Sequence, residues 1–394
     1  MGSIVIKLDE WGIKMVKKIQ SGYSIEGDGL VHPEYIVEGN YEGILFGPEL
    51  EFFVVDKDTH KPKDCLDELA GLPGFDKEIK PELAAEQIEI TTSPSYSISE
   101  LEDRLTGITR NVVASLERVN AELLPVALFD GGEFTITPEP RYQLLIENLG
   151  NDFRQNAVKV ASDQINIGAE NEEQAFRIFN ALTEFLPEFM AYSVSSPFLN
   201  GTSNGIASNR LDAYDRAITK YLHFTGLPSK IENLEEYASE LGDLPIFQHP
   251  NMFYKYSRPM PQRGVAAEIR CMDKQPTIQD YLAFVVLSKA FVLYVEQSKD
   301  TQISSLLSGP SSESDVETAF AYARRYGIKD YRRSRTILNF LSTFLDQDEV
   351  NYLGPLYGRL AEGDLSKQMM RMSQNIGVEG VYRNLSANLV ASLK

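Results

Sequence analysis

The segment Phe46–Asp56, FGPELEFFVVD, sets the strongest constraint on how this chain folds. Residues two apart in a strand share a face, so Glu49 and Glu51 point one way and Leu50 and Phe52 the other. The run is otherwise apolar enough to be a core strand. Three further segments repeat the pattern. In EQIEITT, Gln87, Glu89 and Thr91 share a face with Ile88 and Ile90 behind. In DQINIG, Gln164 and Asn166 stand opposite Ile165 and Ile167, and in AEIRCMD, Glu268 and Arg270 stand opposite Ile269 and Cys271. Antiparallel strands with one wet face alternate in this way. Such faces normally carry Thr, Lys and Ser, however, and glutamate is depleted in strands. Here Glu dominates, joined by Gln, Asn and one Arg. Brought side by side, these carboxylates repel and raise one another's pKa, and a divalent cation relieves the repulsion. An all-oxygen donor set selects a hard ion, Mg²⁺ or Mn²⁺, and the arginine points to an anionic substrate group such as phosphate.

Strands are predicted over Ile44–Asp56, Gln87–Thr92, Leu124–Asp130, Val158–Gly168 and Val265–Met272, and helices over Ile98–Glu122, Arg141–Ala157, Glu172–Tyr192 and Ser208–Leu222. Phe247–Arg263 reads as a long loop. From about Thr277 the chain is helix after helix: an apolar core helix from Thr277, a capped helix ending near Gly327, then Arg333–Leu345, Asn351–Leu360, Leu365–Asn375 and Glu379–Ser392. Strands separated irregularly by helices indicate an α+β fold rather than a βαβ repeat. The expected organisation is one catalytic unit over 1–394: an N-terminal helical segment (1–25), a sheet-based core (43–290) and a helical C-terminal extension (291–394) packed on it.

Among 394 residues the net charge is −19, which speaks against nucleic acid or an anionic membrane as partner. No uninterrupted apolar stretch reaches membrane-spanning length. Two distant cysteines, Cys65 and Cys271, and no secretory leader pattern predict a cytoplasmic protein. Phosphate-loop, dinucleotide, zinc-protease and nucleophile-elbow motifs are absent, and the four histidines are scattered. Nucleotide chemistry in such a chain must run through carboxylate-held metals and arginines on an open sheet. Exposed sheet edges favour association, a homodimer being the simplest case.

The segments GPELEFFVVD, EQIEITTSP, SDQINIG, SSPFLNGTSNGIASNRLDAYD, TGLP and EIRCMDKQPTIQDYLA occur in an order that resembles the glutamate–cysteine ligase family of the plant and bacterial type, which includes the bacterial carboxylate–amine ligases. The resemblance covers roughly Gly43 to Ala283. It implies a glutamine-synthetase-like fold, a curved and mainly antiparallel sheet with helices on its outer face. It also implies ATP-dependent joining of a carboxylate, typically the γ-carboxyl of glutamate, to an amine. On this resemblance Glu49, Glu51, Glu89 and Glu268 fall on metal-holding positions. Gln164 and Asn166 match the strand beside ATP. Arg270 and Arg210 match arginines that would stabilise the transferring phosphoryl group or the substrate carboxylate, so that Arg270, Arg210 and Glu51 form the catalytic set. Glu82 and Glu86 lie close to the second acidic strand, and sequence does not choose between them. The loop Ser196–Gly205 is expected to close over the substrate. Arg258 and Arg263 either reach phosphate or sit in a solvated loop, and Thr91 and Thr92 read as strand filler. Where some relatives carry H-x-H, this chain has Gln164 and Asn166, which favours the glutamate–cysteine ligase branch. Nothing in the sequence reveals the catalytic base or the acceptor amine. A kinase of the guanidino type on the same scaffold, and a non-catalytic ATP or amino-acid sensor, are the alternatives.

Overall fold

A computed structural model describes residues 4–9, 12–17, 44–218, 225–233, 235–236, 255–260, 264–298 and 312–394. Its centre is a mainly antiparallel sheet built on one long strand. The strands are β1 (Ile4–Asp9), β2 (Gly12–Lys17), β3 (Phe46–Asp56), β4 (Ile79–Pro81), β5 (Gln87–Thr91), β6 (Ala121–Leu124), β7 (Asp163–Gly168), β8 (Phe198–Leu199), β9 (Thr202–Ser203), β10 (Ser257–Met260) and β11 (Val265–Ile269). The sheet runs β10-β11-β7-β3-β5-β4, with β6 also paired to β3. The first half of β3 pairs with β7 and its second half with β6.

The helices are α1 (Leu66–Leu69), α2 (Ile98–Glu117), α3 (Pro140–Leu149), α4 (Asn151–Ala157), α5 (Glu172–Ser193), α6 (Asn209–Ala217), α7 (Ile278–Ser298), α8 (Glu313–Tyr326), α9 (Tyr331–Ser342), α10 (Gln347–Asn351), α11 (Gly354–Glu362) and α12 (Leu365–Ser392). The apolar face of the sheet, Leu50, Phe52, Ile88, Ile90, Ile165, Ile167 and Ile269, is buried against α2, α5 and α7. Burying each such side chain contributes roughly 1.5–3 kcal/mol. Helix α7 is long and apolar enough over Ile278–Gln297 to cross a membrane, yet here it is a buried core helix, packed by α2, α5, α9 and α11.

Several expectations are corrected. The N-terminal segment, expected as helix, carries a β-hairpin of β1 and β2; IVIKLD is β-branched and alternating, which suits a pleated strand. The strand expected over Leu124–Asp130 ends at Leu124, because Pro125 has no N–H for the ladder. Gly150, at φ 84°, divides the expected 141–157 helix into α3 and α4. Within the expected loop 247–263, Ser257–Met260 is an edge strand, the place where Pro259 is tolerated; 247–254 and 261–263, including Arg263, lie outside the described residues. The C-terminal helices do more than back the core. Phe53 and Val55, on the same face of β3 as Glu49 and Glu51, are covered by Met369, Val381, Tyr382 and Leu385 of α12. Helix α12 thus closes one end of the polar face.

Candidate active site

Strand register alone assembles the polar face. Glu49 lies opposite Gln164 on one side and Thr91 on the other, and Glu51 lies opposite Glu89. Asn166 lies opposite Gly47 and Glu268, and Glu268 lies opposite Arg258. A Cβ on Gly47 would meet Asn166 Cβ at 3.3 Å, so glycine lets β7 carry a polar side chain against β3 here. Six of the predicted residues, Glu49, Glu51, Glu89, Gln164, Asn166 and Glu268, therefore share one face, and Arg270 follows directly on β11.

The side chains form a connected network. Glu51 Oε2 accepts from Ser162 N at 2.6 Å and Ser162 Oγ at 3.0 Å, and its Oε1 accepts from Gln164 Nε2 at 2.8 Å. Gln164 Oε1 accepts from Arg270 Nη1 at 2.7 Å. Asn166 Nδ2 donates to Glu49 Oε1 at 3.0 Å, while Asn166 Oδ1 is buried without a partner. Glu268, fully buried, accepts from both Arg258 and Arg270, and the Tyr214 hydroxyl hydrogen-bonds with Arg270. Lys80 Nζ reaches Glu89 Oε1 at 2.9 Å.

The electrostatics follow from this wiring. Burial, with the charges of Glu89 and Glu268, pushes Glu49 up from 4.5 to about 8. Burial also raises Glu51, against the lowering pull of Arg210 and the Ser162 N–H. Glu82 is held well above the usual carboxylate range by burial and by the charges of Glu51 and Glu89. Glu268 is the exception: burial opposes its charge, but the two arginines win and hold it low. One face thus carries an acidic half, where Glu49, Glu51 and Glu82 are pushed toward protonation, and an Arg258–Glu268–Arg270 half, where Glu268 is held low.

The structure resolves two points left open by sequence and revises two others. Glu82 looks toward Glu51 and Glu89, whereas both oxygens of Glu86 accept the N–H of Thr135, so Glu82 is the one in the site. Arg258 belongs to the face rather than to a solvated loop. Arg210, expected to face a phosphoryl group or the substrate carboxylate, instead donates to the carbonyls of Cys271 (3.3 Å) and Arg270 (3.0 Å) and lies 4.0 Å from Asp273. It braces the turn after β11, and its charge reaches Glu51 from there. The loop Ser196–Gly205 is a small hairpin. Its root is fixed by Asp273, which accepts from Ser195 N, Ser196 Oγ and Ser208 Oγ at 2.8 Å each. Its tip touches Asp130 and Met370 rather than the polar face. Thr91 and Thr92 donate to nearby carbonyls, as strand filler would.

Sequence reasoning missed Lys80, Arg141, Tyr142 and Tyr214. Arg141 donates to the Tyr142 hydroxyl, and both lie close enough to Glu82 to feel its charge. Only Lys80 left a signal, since it precedes Glu82 by two in a strand-length segment.

The donor chemistry, carboxylates and amide oxygens without His or Cys, suits a hard divalent cation, and Asn166 Oδ1 is an unanswered buried acceptor. Glu49 is the least committed carboxylate: among the described residues nothing donates to its Oε2. The ligands are not gathered into a closed cage, and no cluster of three metal-binding side chains occurs among the described residues. Arg258 and Arg270 occupy Glu268, so it does not stand as a free ligand, contrary to expectation; Lys80 occupies Glu89. Glu49, Glu51, Glu89 and Glu82 are the residues that would hold a cation.

The family model of Glutamate-cysteine ligase family 2 matches residues 45–384. The chain belongs to that family. It is 27% identical over 296 residues to a Thermobifida fusca protein named "Putative glutamate--cysteine ligase 2", covering 72% of this chain and 71% of the relative. A Jannaschia protein of the same name is 26% identical over 305 residues, covering 73% and 76%. Among solved structures the chain resembles a glutamate–cysteine ligase from Francisella tularensis in complex with AMP, with TM-score 0.60, 11% identity and 89% of each chain covered. It also resembles a bifunctional glutathione synthetase from Pasteurella multocida, with TM-score 0.61 and 14% identity, covering 89% of this chain and 52% of that one. The fold is the α+β, antiparallel, glutamine-synthetase-like one that the sequence led us to expect. As a member of the glutamate–cysteine ligase family the protein is an ATP-dependent ligase.

Proposed function

We propose that this ligase joins the γ-carboxyl of glutamate to an amine, cysteine being the family's namesake acceptor, through an acyl phosphate, with ATP and Mg²⁺ or Mn²⁺. The observation that carries this reading is the divided polar face: Glu49, Glu51, Glu89 and Glu82 on one side of β7 and the Arg258–Glu268–Arg270 group on the other. A carboxylate resists amine attack because oxide is a poor leaving group. In the proposed course a carboxylate oxygen attacks the γ-phosphorus and ADP leaves. The amine then attacks the acyl carbon and phosphate leaves. A divalent cation held by the four glutamates would neutralise the phosphate charge during the transfer. Arg270 is held by Glu268, Gln164 and Tyr214, so its guanidinium is oriented before substrate arrives, which is the arrangement that stabilises developing charge without reorganisation. Glu51 fixes the Gln164 amide, and Gln164 in turn fixes Arg270. Asn166 keeps an acceptor free for metal or metal-bound water.

The test is phosphate release from Mg·ATP across a matrix of carboxylates and amines, with glutamate plus cysteine first and Glu51→Gln alongside. Release is expected only with both substrates, and Glu51→Gln is expected to lose about 100-fold or more. ATP consumed without phosphate release, leaving a stable phosphorylated product, would favour a kinase. Binding of Mg·ATP without turnover on any pair would favour a sensor.

A further inference from the structure

At the edge of the sheet the acidic half of the face meets a lysine of the chain's own. Lys80 lies on the edge strand β4, directly opposite Glu89 in the register, and its ammonium rests 2.9 Å from Glu89 Oε1. The Lys80 side chain remains 41% exposed, whereas that of Glu89 is 10% exposed, so the lysine reaches inward from the rim. Burial opposes its charge, yet Glu89, Glu49 and Glu82 together raise its pKa above the usual lysine range. These three acids come from β5, β3 and the turn after β4, and they are residues assigned above to hold a cation. An ammonium and a divalent cation cannot both occupy the same carboxylate oxygens, because the like charges repel.

We propose that Lys80 is a built-in counter-cation: it neutralises the acidic half of the site when no metal is bound and is displaced from Glu89 when a divalent cation enters. The inference rests on the metal-binding reading above. It explains how the carboxylates coexist without a cage: the Lys80 ammonium sits on Glu89 at 2.9 Å, across the β4–β5 register. It also gives Lys80 a defined path. The side chain is long, flexible and at the sheet edge, so on release from Glu89 its head can swing to solvent or to the phosphates of the bound nucleotide.

The test compares wild type with Lys80→Met, which keeps the apolar stem, and Lys80→Gln as a second variant. Lys77→Met on the exposed neighbouring turn is the control for a simple loss of one positive charge. Thermal unfolding is followed in chelator and in saturating Mg²⁺, and Mn²⁺ binding is followed directly by the loss of free-ion signal. The Lys80 variants are expected to melt lower than wild type in chelator and equal to it in Mg²⁺. They are expected to bind Mn²⁺ about five-fold more tightly, with Lys77→Met changing less than about two-fold. A melting deficit of the same size with and without Mg²⁺, or Mn²⁺ binding unchanged or weakened, overturns the proposal and leaves the metal site standing. If neither wild type nor variants respond to Mg²⁺ or bind Mn²⁺, the metal reading itself fails, and this inference fails with it.

Discussion

At the scale of single residues, protonation decides how the site behaves. Glu49 binds its proton more tightly folded than unfolded, since its pKa rises from 4.5 to about 8. Between those values the unfolded chain releases the proton first, so folded stability contributed by Glu49 falls as pH rises. Glu51 and Glu82, also raised, act in the same sense. Glu268 acts in the opposite sense: its lowered pKa gives stability that is present above the unfolded value and lost as pH falls through the folded one. In chelator, the unfolding midpoint is therefore expected to drop as pH rises from about 5 to 8, and Glu49→Gln to flatten that slope. Added Mg²⁺ is expected to stabilise more at the alkaline end, where protons no longer compete with it for the carboxylates. Differential scanning calorimetry across this range, with and without Mg²⁺, checks the sign. A midpoint that climbs over the same interval in chelator would count against the buried-carboxylate account.

At the scale of elements, the segment after β11 ties the layers together. Lys274, almost fully buried, pairs with Asp163 of β7 at 2.7 Å and lies 4.0 Å from the centre of the Phe52 ring. The second Asp163 oxygen accepts from Gln275 N at 2.7 Å. Lys274→Met leaves a buried carboxylate without its cation and is expected to cost about 3–5 kcal/mol in urea unfolding. Adding Asp163→Asn is expected to recover part of that loss, because the uncompensated charge is gone. The sequence was legible here in one respect: two-residue alternation in β3, β5, β7 and β11 placed Glu49, Glu51, Glu89, Gln164, Asn166 and Glu268 on shared faces. What lies between strands was not legible. Pro259 disguised β10, and with it the pairing of Arg258 to Glu268. The choice between Glu82 and Glu86 turned on how the chain bends between β4 and β5. Arg210 matched a motif, but its guanidinium was claimed by backbone carbonyls that no sequence pattern displays.

At the scale of the whole molecule, the polar face is bounded by a part of the chain in which the sequence displayed no recognisable motif. The rings of Phe53, Phe129, Phe198 and Tyr382 gather at the far end of β3, with Tyr382 centred 6.0 Å from Phe129 and 6.2 Å from Phe198. Tyr382→Ala is expected to cost roughly 3 kcal/mol, judged from large-to-small changes in cores, and to lower phosphate release by loosening the end of the floor. Denaturant unfolding and the phosphate assay measure the two effects separately. The helical third was read from sequence as packing on the core; its α12 in fact reaches round to the polar side, a long-range choice that local pattern does not encode. The strand order has a consequence for how the protein is made. Neighbours in the sheet are distant in the chain: β3 pairs with β7, and β7 with β11, so Glu49 emerges from the ribosome long before Glu268. At about 5–20 residues per second, roughly ten to forty-five seconds separate the two. For the first part of that interval β3 lacks its β7 partner, and once β7 has emerged its own outer edge stays unpaired until β11 follows. The nascent chain is thus exposed to aggregation until β11 arrives, and slower translation of the intervening helices is a hazard rather than a help.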